Sequence, residues 1–362
     1  MAKGISVFLG MDYSLENNLD YMCRAKNSGF NRIFTSLHIP EANYEQIISD
    51  FSALLDLAKQ LQMEVIADIS PNAYIYLGVN PDDLGKFKQL GLHGIRLDYG
   101  FKPEKIAEYS QNDVGLLIEL NASTMTADFI EQIMTNGANP HNLSACHNYY
   151  PRQNTGIGET SLSRKNKLFH QYNIPVSAFV ALPDSRRAPL YEGLPTLEFT
   201  RHFAPAVASQ ILLQLGVDHV YIGDAIATND ELNSISNLNI DVINLELASY
   251  SPEYNELFNA IHTNRPDSAE DVVRSQESRL ILLENSYISR KVTPHDCVER
   301  KIGAITIDNQ NYLRYSGELQ IMRQDLPADS RVNVIGQLTD ESCYLLKFIG
   351  DNQQFRFTRP KQ

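Results

Sequence analysis

GIRLDYGFKPEKIAEYSQNDVGLLIELNASTMTADFIEQIMTNGANPHNLSACHN, residues 94–148, is the stretch that decides the fold. Three short apolar runs, GIRLDY (94–99), LLIELN (116–121) and LSACHN (143–148), alternate with polar segments of helical length. The second such segment starts near Thr126 and spaces Phe129, Ile130, Ile133 and Met134 at three-and-four intervals. It stops at Gly137, as an amphipathic helix does when a left-handed glycine turns the chain back. Strand, helix, strand, helix, strand is the order in which parallel strands are connected, because each return needs a crossover.

The alternation continues in both directions. ISVFLG (5–10), RIFTSL (32–37) and EVIADI (64–69) precede the stretch, and PVSAFV (175–180) and HVYIGD (219–224) follow it, so eight strands are predicted. Ile47, Ile48, Phe51, Leu54, Leu55, Ala58 and Leu61 mark one intervening helix, and NSGF (27–30) and QLG (89–91) end others with the same glycine signal. Eight βα units predict an α/β fold, a (β/α)8 TIM barrel. A doubly wound open sheet would carry GxGxxG after its first strand, and FLGMDYS (8–14) is not that fingerprint.

After residue 243 the pattern changes. HTNRPDSAEDVVRSQESR (262–279) is polar, and AITIDNQNYLRYSGELQIM (304–322), RVNVIGQL (331–338), SCYLLKFI (342–349) and QFRFTR (354–359) read as short strands. The expected organisation of the 362 residues is therefore a catalytic barrel over 1–243 and a small, mostly-β barrel domain over 244–362.

Lysine and arginine number 31 against 44 aspartate and glutamate, a net charge of −13. Residues 244–362 hold 14 basic and 17 acidic residues, which leaves most of the acidity on the first domain. That balance excludes a broad phosphate-backbone surface, so no nucleic acid is expected as a partner, while a small anion held by one or two arginines is allowed. No apolar run approaches the length that spans a bilayer, and MAKGISVFLGMD has no signal-peptide core. Cys23, Cys146, Cys297 and Cys343 are far apart and form no CxxC pair. No membrane association and a cytoplasmic location are the expectations. Nothing in the sequence bears on the oligomeric state.

In such a barrel the chemistry sits at the C-terminal strand ends. Polar residues stand at nearly all of them: Asp12, Ser36, His38, Asp68, Ser70, Asp98, Glu119, Asn121, His147, Asn148, Tyr149 and Asp224. Period-two alternation puts Arg96 with Asp98, and Glu119 with Asn121, on the interior face. Buried carboxylates are costly unless paired or used. Glycoside cleavage by two carboxyl groups uses them, and so does a divalent metal. The metal reading lacks a local ligand motif, and His38, His93, His141 and His147 are scattered, so neither metal nor cofactor is expected. Asp68 and Asp224 are equally suited to capping a turn, and Arg96 to pairing with the carboxylates, whereas Glu119 in LLIELN has no capping role. The long loop after strand seven, ALPDSRRAPLYEGLPTLEFTRH (181–202), carries Arg186, Arg187, Tyr191, Glu192, Gly193, Thr196 and His202, where this fold commonly binds phosphate. Arg152 is a second phosphate candidate on that face.

FTSLHIPE (34–41), ADISP (67–71), GIRLDYGF (94–101), IELNAST (118–124), ACHNYYPR (145–152), PLYEGLPTLE (189–198) and VYIGDA (220–225), in that order, resemble the bacterial 6-phospho-N-acetylmuramidase (MupG-type) family. NRPDSAEDVVRSQESR (264–279), GAITIDNQNYLRYSGELQI (303–321) and VNVIG (332–336) extend the resemblance over nearly the whole chain. It implies a (β/α)8 barrel followed by a cyclophilin-like β domain. It also implies hydrolysis, in peptidoglycan recycling, of the β-1,4 bond of MurNAc 6-phosphate–GlcNAc, a phosphorylated amino-sugar disaccharide. Asp68, Asp98, Glu119, Asn121, His147, Asn148, Tyr149, Arg152, Glu192 and Asp224 fall in the matching motifs, and 180–192 departs from the family pattern.

The expected catalytic pair is Glu119 with Asp98 or Asp68, with acid and base roles unassigned and retention, inversion and substrate assistance all open. Asn121, His147 and Asn148 are expected on sugar hydroxyls or the acetamido group, Arg152 or Arg187 on the phosphate, and Tyr99, Tyr149 and Tyr191 beside the rings. Glu192 and Asp224 complete the substrate-binding set. A phosphosugar lyase, aldolase or isomerase, and a non-catalytic phosphosugar sensor, are the alternatives.

Overall fold

The computed structural model describes residues 1–36, 44–69, 79–80, 83–97, 100–284 and 291–359, with backbone alone at 44–48, 69 and 284. The chain forms two compact units, Met1–Asn237 and Leu238–Gln362.

In the first unit β1 (Lys3–Ser6), β2 (Arg32–Ser36), β3 (Glu64–Ile69), β4 (Gly94–Leu97), β5 (Leu117–Asn121), β6 (Leu143–Cys146), β7 (Val176–Val180) and β8 (His219–Ile222) close a parallel barrel in chain order. Among the described residues these helices follow the strands: α1 (Leu15–Asn27), α2 (Tyr44–Gln60), α3 (Leu84–Gln89), α4 (Pro103–Ser110), α5 (Ala127–Thr135), α6 (Glu159–His170), α7 (Pro205–Gln214) and α8 (Asn229–Ser236). The predicted TIM barrel is therefore present.

Local chemistry explains where the helices begin and end. Ser14 caps α1 by accepting from the Asn17 amide at 3.2 Å, and Thr126 caps α5 through the Phe129 amide at 3.3 Å. Thr228 and Glu231 form a reciprocal capping box on α8. Gly29 and Gly137 leave their helices at φ +85° and +83°, the left-handed conformation read from NSGF and TNGA.

The barrel interior has two unlike halves. On one side Phe34, Phe179 and Tyr221 are buried with Cys146, and the Phe34–Phe179 and Phe179–Tyr221 ring centroids lie 5.1 and 5.5 Å apart. Tyr221 occupies this space only because its β1 neighbour is Gly4, where a Cβ would come within 2.3 Å of the ring. On the other side the β-ladder registers Ser36, Asp68, Arg96, Glu119 and Ser144 in one row across β2 to β6.

The second unit is a mixed seven-stranded sheet of β9 (Val242–Tyr250), β10 (Ile261–Thr263), β11 (Val272–Arg274), β12 (Ala304–Asp308), β13 (Leu319–Met322), β14 (Val332–Leu338) and β15 (Gln354–Thr358). Its order is β10-β15-β9-β14-β12-β13-β11, with β15 parallel and β14 antiparallel to β9. A bridge between Asn264 and Ser275, just past β10 and β11, nearly closes it. Around the sheet lie α9 (Asn255–Phe258), α10 (Ser278–Glu284) and α11 (Asp340–Cys343).

SCYLLKFI is not the expected strand. Thr339 accepts from the Ser342 amide at 3.3 Å and starts α11, and Leu346–Phe348 continue as a 3-10 turn. Capping chemistry thus prevails over a run whose alternation is broken by Leu345–Leu346. No helix among the described residues is long and apolar enough to cross a membrane.

Candidate active site

Glu119 is the most constrained of the strand-end groups. It is 1% exposed, its Oε1 meets no hydrogen-bond partner among the described residues, and its Oε2 accepts a long contact of 3.5 Å from Ser144. Burial raises its pKa to about 7, and Asp68 adds to that rise, while Arg96 and Arg32 oppose it. The carboxyl can therefore hold its proton near neutrality. Asp68, in register with Arg96 on the other side, is partly exposed at the end of β3.

Arg96, 3% exposed, sits between the two acids in the ladder. It donates through Nη2 to Asn148 Oδ1 and at 3.5 Å through Nη1 to the His147 carbonyl, with its guanidinium 5.7 Å from the centre of the Phe34 ring. Thus it ties the row of charges to the end of β6 and, through Asn148 and Asn121, to the end of β5.

Those ends carry a chain of hydrogen bonds. Asn121 Oδ1 accepts from the Ser123 amide at 3.0 Å, and its Nδ2 donates to Asn148 Oδ1 at 3.1 Å. His147 is fully buried, with Nδ1 3.2 Å from Ser123 Oγ and Nε2 2.8 Å from Asn166 Oδ1. Burial pushes its imidazole down to about 4, so the ring is neutral at neutral pH.

The loop after β7 is held by two anchors. Asp224, fully buried after β8, accepts from the amides of Leu182, Leu194 and Arg187 at 2.9, 3.1 and 3.1 Å. Burial still raises its pKa against those three bonds. Arg201, 2% exposed, pairs with Glu198 at 2.8 and 2.6 Å and also donates to the carbonyls of Tyr150, Arg152, Glu192 and Gly193. Arg201 holds the Glu198 carboxyl down at about 2. The loop thereby presents Arg187, whose guanidinium lies 4.1 Å from the Phe8 ring centre and 5.2 Å from that of Tyr149. Its Nε and Nη1 bond the Ala188 carbonyl and the Tyr149 hydroxyl, and Nη2 has no partner among the described residues. Asp12 completes the rim by accepting from the Ala188 amide at 2.9 Å and the Tyr191 hydroxyl at 2.8 Å.

Residues 3–237 match the N-terminal domain of the 6-phospho-N-acetylmuramidase family and residues 242–358 match its C-terminal domain. The chain belongs to the 6-phospho-N-acetylmuramidase family. A crystal structure of a Bacillus cereus protein is similar at 32% identity, covering 99% of both chains with a TM-score of 0.86. A conserved Enterococcus faecalis protein is similar at 35% identity, covering 99% of this chain and 96% of its own, with a TM-score of 0.79. No curated protein matches the chain. As a 6-phospho-N-acetylmuramidase the protein is a glycosidase, and the family implies a phosphorylated N-acetylmuramic acid sugar as substrate.

In this muramidase barrel the structure brings Asp68, Glu119, Asn121 and Asn148 to one side of the interior mouth, and Tyr149 and Arg187 to the adjacent side, whereas His147, expected on the sugar, is fully buried and turned toward Asn166 of α6, so its ring does not line the mouth. Arg152 is exposed, and its carbonyl serves Arg201 and Thr155. Glu192 Oε2 accepts from the Gln153 amide at 2.8 Å, bracing one loop against another. Arg186 bonds the Leu182 carbonyl and His202. Asp98, His38, Ser70 and Tyr99 lie outside the described residues. Among the described residues no group of three histidine, cysteine or acidic side chains is arranged to hold a metal ion.

Sequence reading missed Ser123, Asn166 and Arg201. Ser123 was legible in principle, since it follows Asn121 at the end of β5. Asn166 lies inside α6 and Arg201 beyond a 3-10 turn, and no periodicity marks their partners, which come from residues distant in sequence.

Proposed function

We propose that this 6-phospho-N-acetylmuramidase hydrolyses the β-1,4 bond of MurNAc 6-phosphate–GlcNAc, with Glu119 as the general acid and Asp68 as the second carboxyl. The observation that carries the reading is the buried Glu119 carboxyl, pushed to about 7 by desolvation beside a partly exposed Asp68. An acid of that strength keeps a proton for the departing glycosidic oxygen, and the second carboxylate activates water. Two strand spacings separate β3 from β5, about 10 Å at the backbone, and side chains converging inward bring the carboxyls toward the wider range associated with inversion. Asn121, Asn148 and Tyr149 line the sugar, and Arg187 takes the phosphate. Asp224, Glu192 and Arg201 hold the loop that presents it. A 6-phosphate substrate fits intracellular recycling of peptidoglycan fragments that are phosphorylated on uptake.

The test is to incubate the protein with the phosphorylated and unphosphorylated disaccharides and follow the products by NMR, alongside Glu119→Gln, Asp68→Asn and Asp98→Asn. Cleavage of the phosphorylated substrate alone, with the α anomer formed first, supports the reading. Glu119→Gln should lose at least about 100-fold on the disaccharide and far less on an aryl glycoside whose leaving group needs no proton. Asp98→Asn more damaging than Asp68→Asn, with the β anomer formed first, would transfer the second role to Asp98. No cleavage by folded protein would sink the substrate assignment and favour a phosphosugar lyase or a sensor.

A further inference from the structure

The hydrogen bonds around His147 have only one direction in which they can run. Asn166 Nδ2 donates to the Leu215 carbonyl at 3.0 Å, which fixes that amide and makes Oδ1 face His147. His147 Nε2 must then carry the proton it gives to Asn166, and in a neutral ring Nδ1 is left as an acceptor. Ser123 Oγ donates to that Nδ1, and it accepts from the Asn148 amide at 2.9 Å. The serine has therefore spent its proton and one lone pair, and only an acceptor remains.

Asn148 is fixed just as firmly with the opposite polarity. Its Oδ1 receives Arg96, which has no acceptor, and Asn121 Nδ2, whose amide is itself oriented by the Ser123 backbone N–H. Asn148 Nδ2 thus has two N–H donors with no partner among the described residues. Both Ser123 and Asn148 are partly exposed at the C-terminal ends of β5 and β6, and the bond between Asn148 N and Ser123 Oγ holds them side by side.

We infer that Ser123 Oγ and Asn148 Nδ2 form an acceptor–donor pair that recognises the 2-acetamido group of the phosphorylated sugar, its N–H on Ser123 and its carbonyl on Asn148. A hydroxyl can turn to meet either polarity and needs no such fixing. A secondary amide has one donor and one acceptor in fixed positions, and a site of fixed polarity selects it over a hydroxyl or an ammonium group. His147 and Asn166 act as positioning residues, because both ring nitrogens are engaged and neither reaches the sugar. The inference rests on the proposed hydrolase reading for its ligand class, but binding tests it without turnover.

Calorimetry on the full chain should compare N-acetylglucosamine 6-phosphate, glucose 6-phosphate and glucosamine 6-phosphate. The expected result is acetamido binding at least about tenfold tighter than the other two, the scale of one well-placed hydrogen bond. Ser123→Ala should cut the acetamido-over-hydroxyl ratio by about tenfold, and Ser123→Thr should restore it. Asn148→Asp should move the preference toward glucosamine 6-phosphate, whose ammonium suits two acceptors. Equal wild-type affinity for the three sugars would overturn the inference, and so would an equal loss for all three in Ser123→Ala. Selective binding without cleavage of the disaccharide would sink the hydrolase reading and leave the amide pair standing. Cleavage with no acetamido preference would do the reverse.

Discussion

On the β7–β8 side of the barrel Phe179 and Tyr221 pack against Phe34 and fill the interior by contact alone, whereas on the β3–β5 side Asp68, Arg96 and Glu119 share one row. The aromatic half is tolerant of pH and depends on volume. The charged half is the reverse, since every member sets the charge of the next: Arg96 and Asp68 pull Glu119 in opposite directions while burial decides the outcome. A barrel that needs a rigid frame and a titratable floor obtains both by keeping them on separate strands, with Arg96 over Phe34 where they meet.

Removing Arg96 is the most damaging way to break that division. Arg96→Met leaves Asp68 and Glu119 without the cation between them and removes one of the two donors that orient Asn148. A loss of about 4 kcal/mol is expected from urea unfolding, as for other buried ion groups deprived of a partner. In any folded protein the alkaline limb of the pH–rate profile should move to higher pH, because the main influence opposing the rise in Glu119 has gone. An unmoved limb would detach Arg96 from Glu119.

On the aromatic side Phe179→Ala should cost about 3 to 4 kcal/mol by opening a cavity among Phe34, Tyr149 and Tyr221. Here the pH profile of the remaining folded enzyme should stay where it is. If it shifts, the two halves are coupled and the separation drawn above fails.

The frame was much more legible in the sequence than the floor. Apolar runs and glycine stops are local signals, so seven of the eight strands emerged within a residue or two of their observed bounds, while the first, read over 5–10, lies at Lys3–Ser6. Glu119 was also legible, because a charge in LLIELN has nowhere polar to point except the barrel interior. What could not be read was direction and partnership. Nothing in ACHNYYPR says that both nitrogens of His147 are engaged, since one partner, Asn166, is on α6 and the other, Ser123, follows β5. In the second unit β10 and β11 are three residues each, too short to show alternation, and β9 was missed next to the change of pattern.

Glu119→Gln sharpens the same contrast through stability. The folded-state pKa of about 7 lies above the ordinary 4.5, so the native protein holds a proton that the unfolded chain releases between those values. Stability from this group is accordingly present below about pH 4.5 and falls as pH rises through 7, by roughly 3 kcal/mol in all. Urea unfolding of Glu119→Gln at pH 5 and pH 8 should show that dependence flattened relative to wild type. An unchanged slope would mean that Glu119 is ionised in the folded protein at neutral pH, and the general-acid assignment would fall with it.

The smallest effect belongs to the aromatic rim, at Arg187. Its guanidinium is a flat group stacked near Phe8 and Tyr149, with Nε and Nη1 occupied and Nη2 left over. Lysine keeps the charge but loses the planar stacking and the fork of donors, so it can reach an anion only as a mobile point charge. Arg187→Lys should therefore raise KM for the phosphorylated disaccharide by about tenfold, equivalent to about 1.4 kcal/mol, with kcat nearly unchanged. Stability should barely move, because the Asp224 and Arg201 anchors of the loop are untouched. Steady-state kinetics over phosphorylated and unphosphorylated substrates decides the matter. A tenfold loss confined to the phosphorylated one assigns the phosphate to Arg187, whereas an equal loss for both would make the stacked arginine part of the frame and move the phosphate to another cation, with Arg152 the next to test.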